Sequence, residues 1–148
     1  MKILIAILMF QVFVSCAQEK NETSKENKAT KENTETTASK TIAQKLESLN
    51  FKKKMNELKG IVVDVRTTAE VNKGIIPGAK IIDYFSDQFK EKLLSFDKST
   101  PIFVYCQSGG RSAEAFDLLV ENGFQEVYEL EGGMEYWNDE ELPTEQPK

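Results

Sequence analysis

Hydrophobic and polar positions divide the 148-residue chain into three segments with different patterns. Residues 1–15 form a short apolar run, residues 16–40 are almost entirely polar, and residues 41–148 alternate between apolar runs and amphipathic stretches. A segment of about 100 residues removes roughly two-thirds of its unfolded surface from water, which is enough for a core. The pattern therefore predicts one folded domain over 41–148.

Within this domain, strand and helix patterns alternate. Continuous β-branched or apolar runs predict buried strands over 61–65, 101–105 and 127–130, with a shorter strand over 79–82. Helical spacing predicts helices over 51–58, 86–96 and 112–121, a short helix after Thr67 or Thr68 and a final turn over 134–137. Ile42, Leu46 and Leu49 also have helical spacing, with Asn50 as a cap for the next helix. This alternation predicts a parallel α/β sheet covered by helices.

The first 15 residues are typical of a secretory signal peptide. Their apolar stretch, 3–14, is shorter than the roughly 20 residues that span a bilayer. Ser15 and Cys16 resemble the lipobox of bacterial lipoproteins, although Phe13 stands where leucine is usual. The resemblance implies cleavage before Cys16 and a lipid anchor on that residue, in the cell envelope facing the periplasm. The alternative is a plain signal cut near Ala17, which gives a soluble periplasmic or cell-surface protein.

The next segment, 16–40, mixes Lys and Glu with Thr, Ser and Asn. It cannot bury enough apolar surface to offset its ordering entropy, so we expect a disordered tether behind the lipidated Cys16. The net charge of −5 gives no reason to propose a nucleic-acid partner. With no histidine and two separated cysteines, the chain also lacks the ligands of a zinc site. We therefore expect neither a metal nor a cofactor.

The second cysteine, Cys106, directly follows the predicted strand 101–105 and precedes a Gly109-Gly110 turn. In open α/β sheets ligands lie at the carboxyl ends of the strands, where this residue falls. Backbone N–H groups at the start of the next helix favour an anion, and they lower a cysteine pKa without a histidine. Arg111 adds positive charge. The alternative is that Cys106 is a small buried residue of the core with no chemical role, as free cysteines usually are.

The string from Cys106 to Ser112 closely resembles the active-site loop of rhodanese-domain sulfurtransferases. Three other stretches resemble that family's motifs in family order: Asp64-Val65-Arg66, Gly74 to Ala79, and Gly132-Gly133 with Trp137. The resemblance implies a five-stranded parallel sheet flanked by helices on both faces. It also implies that Cys106 is the nucleophile and carries a persulfide. The outer sulfur would be held by the loop residues Gln107, Ser108, Gly109, Gly110, Arg111 and Ser112.

Other residues of the matching motifs have more than one interpretation. Asp64 and Arg66 form either a structural pair at a strand end or a direct substrate contact. Gln107 stands where many active members carry Arg or Lys, so attraction for anionic thiosulfate should be weaker. Ile75 replaces the family's usual histidine, which affects packing more than chemistry.

The resemblance implies transfer of a sulfane sulfur from a donor such as thiosulfate or a polysulfide to a thiol or cyanide-like acceptor. A non-catalytic binding module is the main alternative. A related phosphatase or arsenate reductase fits less well, because those enzymes use Cys-x5-Arg and this loop is Cys-x4-Arg. Disulfide exchange is disfavoured because a lipidated Cys16 would leave Cys106 without a resolving thiol.

Overall fold

The computed structural model describes residues 41–148, which form a single five-stranded, all-parallel sheet. The strands lie in the order β1-β5-β4-β2-β3. Central strand β4 is completely buried, which explains its continuous apolar run. The strands are β1 (Ile42–Leu46), β2 (Ile61–Asp64), β3 (Lys80–Ile81), β4 (Ile102–Tyr105) and β5 (Glu126–Leu130). The predicted fold class is therefore confirmed.

Helices cover both faces of the sheet. They are α1 (Ser48–Leu58), α2 (Thr68–Val71), α3 (Phe89–Leu94), α4 (Gly110–Glu121) and α5 (Gly133–Asp139). On one face, α3 and α4 bury Leu93, Phe116 and Leu119 against the sheet. On the other, α1 and α5 bury Phe51 and Trp137. Two apolar cores thus hold the carboxyl edge of the sheet in place between helices.

The helix expected from Ile42, Leu46 and Leu49 is wrong. Residues 42–46 instead form edge strand β1, which pairs in parallel with the whole of β5. Three apolar positions over eight residues match a helix only weakly, whereas pairing with the β5 edge satisfies the backbone groups of both strands. The following helix α1 begins at Ser48, so Asn50 lies inside it and is not its cap.

Residues 1–40, with the predicted signal peptide, Cys16 and the tether, lie outside the described residues. Over 41–148, no helix is both long and apolar enough to cross a bilayer. Within the same range, no group of three or more His, Cys, Asp or Glu side chains is placed to bind a metal ion.

Candidate active site

Cys106 lies at the carboxyl end of the central strand, directly between β4 and the loop that leads into α4. Its side chain is only 1% exposed. Gly109 has φ +98°, a backbone conformation that favours glycine and turns the chain back over the sulfur. Helix α4 begins at Gly110, two residues before the predicted start. The first amides of α4 therefore belong to the loop around Cys106, and they have no acceptor within the helix.

Hydrogen-bond donors surround the sulfur of Cys106. The Gly109 N–H donates to Sγ over 3.2 Å, and the Ser112 hydroxyl oxygen lies 3.5 Å from it. Burial acts to raise the pKa of the Cys106 thiol, but the Ser112 side chain and the amides of Ser112, Ser108 and Gly109 outweigh it. The net pKa of this thiol is lowered. The loop thus favours a thiolate with uncharged donors.

The amino end of α5 fixes the other side of this loop. The Met134 N–H donates to the Cys106 carbonyl over 2.9 Å, and the Glu135 N–H donates to the Gln107 carbonyl over 3.1 Å. Gly133 sits against these carbonyls at φ +61°, where an added Cβ would lie 2.5 Å from the Cys106 oxygen. The Gly132-Gly133 motif is therefore a helix-start turn that permits α5 to approach the cysteine loop closely.

Arg111 is bound to a carboxylate. Its guanidinium donates to both carboxylate oxygens of Glu70, over 2.8 and 2.6 Å. This pairing lowers the pKa of Glu70 to about 2, with help from hydrogen bonds of Thr67. Thr67 and Glu70 form a capping box at the start of α2. Arg111 thus ties the cysteine loop to α2, and its charge is largely balanced.

Asp64 and Arg66 form a buried ion pair at the end of β2. Arg66 is 2% exposed and places two guanidinium nitrogens against the Asp64 carboxylate, the shorter contact being 2.6 Å. It also donates to the Gly74 carbonyl over 2.7 Å and reaches the Gln107 side chain at 3.4 Å. Arg66 thus contacts the loop at Gln107, and its charge is balanced by Asp64.

The sequence analysis missed Glu129, which lies beneath the loop on β5. It is 2% exposed, and its Oε1 accepts a 2.9 Å hydrogen bond from the Ser112 hydroxyl. The other carboxylate oxygen lies 2.9 Å from the Lys45 ammonium of β1. One signal could have revealed it: a charged residue within the buried run Val127 to Leu130 requires a partner.

The fold brings most of the predicted site residues together around Cys106. Ser108, Gly109, Gly110 and Ser112 form the loop and the first turn of α4, Gln107 reaches Arg66, and Arg111 turns to Glu70. In the hydrogen bonds described above, Asp64 is linked to the site through Arg66. Cys16 lies outside the described residues.

Comparison with known proteins agrees with this geometry. Residues 47–140 match the family model of the rhodanese-like domain. A protein named sulfurtransferase from Allochromatium vinosum is 32% identical over 88 residues, covering 60% of this chain and 80% of the relative. The thiosulfate sulfurtransferase GlpE of Pseudomonas fluorescens is 34% identical over 83 residues, covering 56% of this chain and 74% of the relative.

Solved structures give the same result. A rhodanese-like domain protein from Staphylococcus aureus superposes with a TM-score of 0.60 at 35% identity, covering 71% of this chain and 99% of that protein. A rhodanese-like domain from Anabaena gives a TM-score of 0.61 at 28% identity, covering 70% of this chain and 79% of that structure. The chain belongs to the rhodanese-like domain family.

Proposed function

We propose that the chain is a sulfurtransferase that carries a sulfane sulfur on Cys106. The observation that carries the proposal is a nearly buried thiol with a lowered pKa inside a loop of amide donors. Relatives of the same family named as sulfurtransferases support the general activity. The intact cysteine and its donors favour an enzyme over a binding module with the same fold.

The proposed cycle has two displacements at sulfur. The Cys106 thiolate attacks the outer sulfur of the donor, whose S–S bond breaks and whose electron pair leaves with sulfite or a thiolate. The amides from Gln107 to Ser112 then hold the outer sulfur of the persulfide, since the first turn of a helix binds anions. An acceptor thiolate or cyanide attacks that outer sulfur, and the Cys106 thiolate is released.

The charges around the loop bear on the donor. Arg111 and Arg66 are each paired with a carboxylate, and Gln107 is neutral. An anionic donor therefore gains little from long-range attraction at this site. The nearly complete burial of Cys106 instead favours a donor that presents its sulfur at the end of a slim chain. A persulfide or polysulfide fits this description at least as well as thiosulfate.

The test is the intact mass of the full chain after exposure to thiosulfate or to polysulfide. We expect a gain of one sulfur atom that cyanide removes, and we expect Cys106→Ser to abolish it. In the unprocessed chain Cys16 is also a thiol, and the variant keeps it, so the variant separates loading at Cys106 from reaction at Cys16. No cyanide-labile gain with either donor would reject the enzyme and favour the binding module.

We also propose that the chain is exported and anchored by lipid on Cys16. The support is the apolar run 3–14, the Ser15-Cys16 pair and the polar segment that follows. Cys16→Ala should move the protein from the membrane fraction to the soluble fraction. A processed Cys16→Ala protein that stays with the membrane would contradict the lipid anchor.

A further inference from the structure

Two aromatic side chains are exposed at the carboxyl edge of the sheet. Phe85, which follows β3, is 70% exposed, and Tyr136, on α5, is 57% exposed. The other aromatic side chains of residues 41–148 are buried or half-buried. A single exposed apolar side chain is normal on a protein surface, but exposed rings that border one site indicate that something covers them.

Phe85 borders the cysteine loop through Arg111. The guanidinium carbon of Arg111 lies 5.8 Å from the centre of the Phe85 ring, a distance at which an aromatic face attracts a cation. Arg111 is held by Glu70 and interacts with Cys106. The Tyr84 ring meets Phe85 edge to face, with the centroids 5.3 Å apart. The Phe85 ring is thus held beside the first turn of α4 although it is exposed.

Tyr136 borders the same loop from α5. Its ring covers Gly132, where any added side chain would collide with it. Gly132 in turn lies against Gly109, whose own Cβ would be 3.6 Å from the Gly132 amide nitrogen. The Gly109 N–H donates to the sulfur of Cys106. Because helical side chains lean towards the amino end of their helix, the Tyr136 ring leans towards the cysteine loop.

The two rings flank the loop from different sides, since α4 and α5 cover opposite faces of the sheet. The loop surface between them carries the uncharged side chains of Gln107 and Ser108. Glu131 and Glu135, close to Tyr136 in the chain, are exposed. An anionic group gains no attraction beside these carboxylates, whereas an uncharged apolar group gains by covering the rings.

We propose that Phe85 and Tyr136 are specificity-determining residues that bind the non-reacting body of the sulfur donor, and that this body is uncharged and apolar, with an aromatic ring as the best fit. The slim sulfur end enters the loop while the body stays between the two rings. The Cys106 thiolate attacks the outer sulfur, the S–S bond breaks, and its electron pair leaves on the body as a thiolate or a sulfinate. The proposal rests on the proposed function.

The test compares two donors that differ only in their body. Benzenethiosulfonate and methanethiosulfonate carry the same terminal sulfur and the same charge, and each leaves as a sulfinate. The measured quantity is the ratio of their second-order rate constants for loading the full chain. We expect Phe85→Ala and Tyr136→Ala each to lower this ratio roughly threefold, because an aromatic contact changes affinity about two- to tenfold. Tyr136→Phe should keep the wild-type ratio, since it keeps the ring.

A second pair of probes needs no sulfur transfer. Iodoacetanilide and iodoacetamide alkylate a thiol by the same displacement, and only iodoacetanilide carries a phenyl ring. The ratio of their rates, followed on the Cys106 peptide by mass spectrometry, should fall in both alanine variants. Absence of loading with every donor would reject the proposed function, and the alkylation ratios would still test the two rings.

Leu58→Ala is the matched control. Leu58 is 37% exposed and is the last residue of α1, which ends at the amino edge of the sheet, away from Cys106. Both ratios should equal the wild-type values in this variant. Ratios for Phe85→Ala and Tyr136→Ala that match those of Leu58→Ala would overturn the proposal. Loading that occurs with unchanged ratios would leave the sulfurtransferase function standing.

Discussion

Gly133→Ala tests whether close approach of α5 holds the cysteine loop. The new Cβ would lie 2.5 Å from the Cys106 carbonyl oxygen and 2.7 Å from the Gln107 carbonyl group. Ordinary contacts are about 3.5 Å, so α5 and the loop must separate by roughly 1 Å. That displacement weakens two hydrogen bonds, from Met134 and Glu135, each contributing about 1 kcal/mol. Alanine at φ +61° adds about 1 kcal/mol of backbone strain.

The expected loss of stability is therefore about 3 kcal/mol, or a fall in Tm of roughly 15 °C for a domain of this size. Gly123→Ala is the matched control, because Gly123 has φ +80° but no atom within 4 Å of an added Cβ. It carries the backbone strain alone, about 1 kcal/mol. At a temperature where both variants are folded, a loop displaced by about 1 Å should load sulfur roughly 100-fold more slowly in Gly133→Ala.

Thermal melts and the rate of cyanide-labile sulfur uptake measure the two effects. Equal melting temperatures and equal uptake rates for the two glycine variants would refute the reasoning, since only the contact with the Cys106 and Gln107 carbonyls distinguishes them.

Three other changes have defined outcomes. Gln107→Lys should raise kcat/KM for thiosulfate roughly fivefold at low salt, which corresponds to a barrier lower by about 1 kcal/mol, and the gain should be lost at high salt. A salt-independent gain would contradict an electrostatic origin. Glu70→Gln should lower stability by about 1 kcal/mol at pH 7. Because folding depresses the Glu70 pKa from 4.5 to about 2, this pair's contribution is present above pH 4.5 and lost on acidification towards pH 2; urea unfolding at both ends of that range should show the difference from wild type vanish. A chain beginning at Thr41 should melt within about two degrees of the full mature chain, and a larger drop would show that 16–40 packs on the domain.

The inner strands β2, β4 and β5 could be predicted because they are buried on both faces. A strand such as β4 must be apolar at every position, and a run of this kind between turn residues is a strong signal. Edge strand β1 has no such constraint, because four of its five residues are exposed. Its conformation comes from pairing with β5, which lies some 80 residues later in the sequence. No local pattern contains that information.

The nucleophile and its loop could also be predicted from local sequence, because the strand, turn and helix that form them are contiguous in the chain. The partners of the charged residues were not. Arg111 pairs with Glu70, which is 41 positions away, and Ser112 pairs with Glu129, which is 17 positions away. These contacts depend on which elements the fold brings to the carboxyl edge of the sheet. The sequence analysis consequently treated Arg111 as an added positive charge, whereas the structure shows it balanced.

The balance of charges changes how this loop activates sulfur. Arg111 and Arg66 are each paired with a carboxylate. Arg111 still interacts with Cys106, but the main stabilisation of the thiolate comes from short-range donors: the Gly109 amide, its neighbours and the Ser112 hydroxyl. Such donors act over a hydrogen-bond distance, whereas a free arginine acts over several ångströms and attracts anions from solution. A loop of this kind selects the sulfur-donating substrate by whether the substrate's outer sulfur can reach Cys106. Selection by the donor's charge would require a free cation at the position that Gln107 occupies.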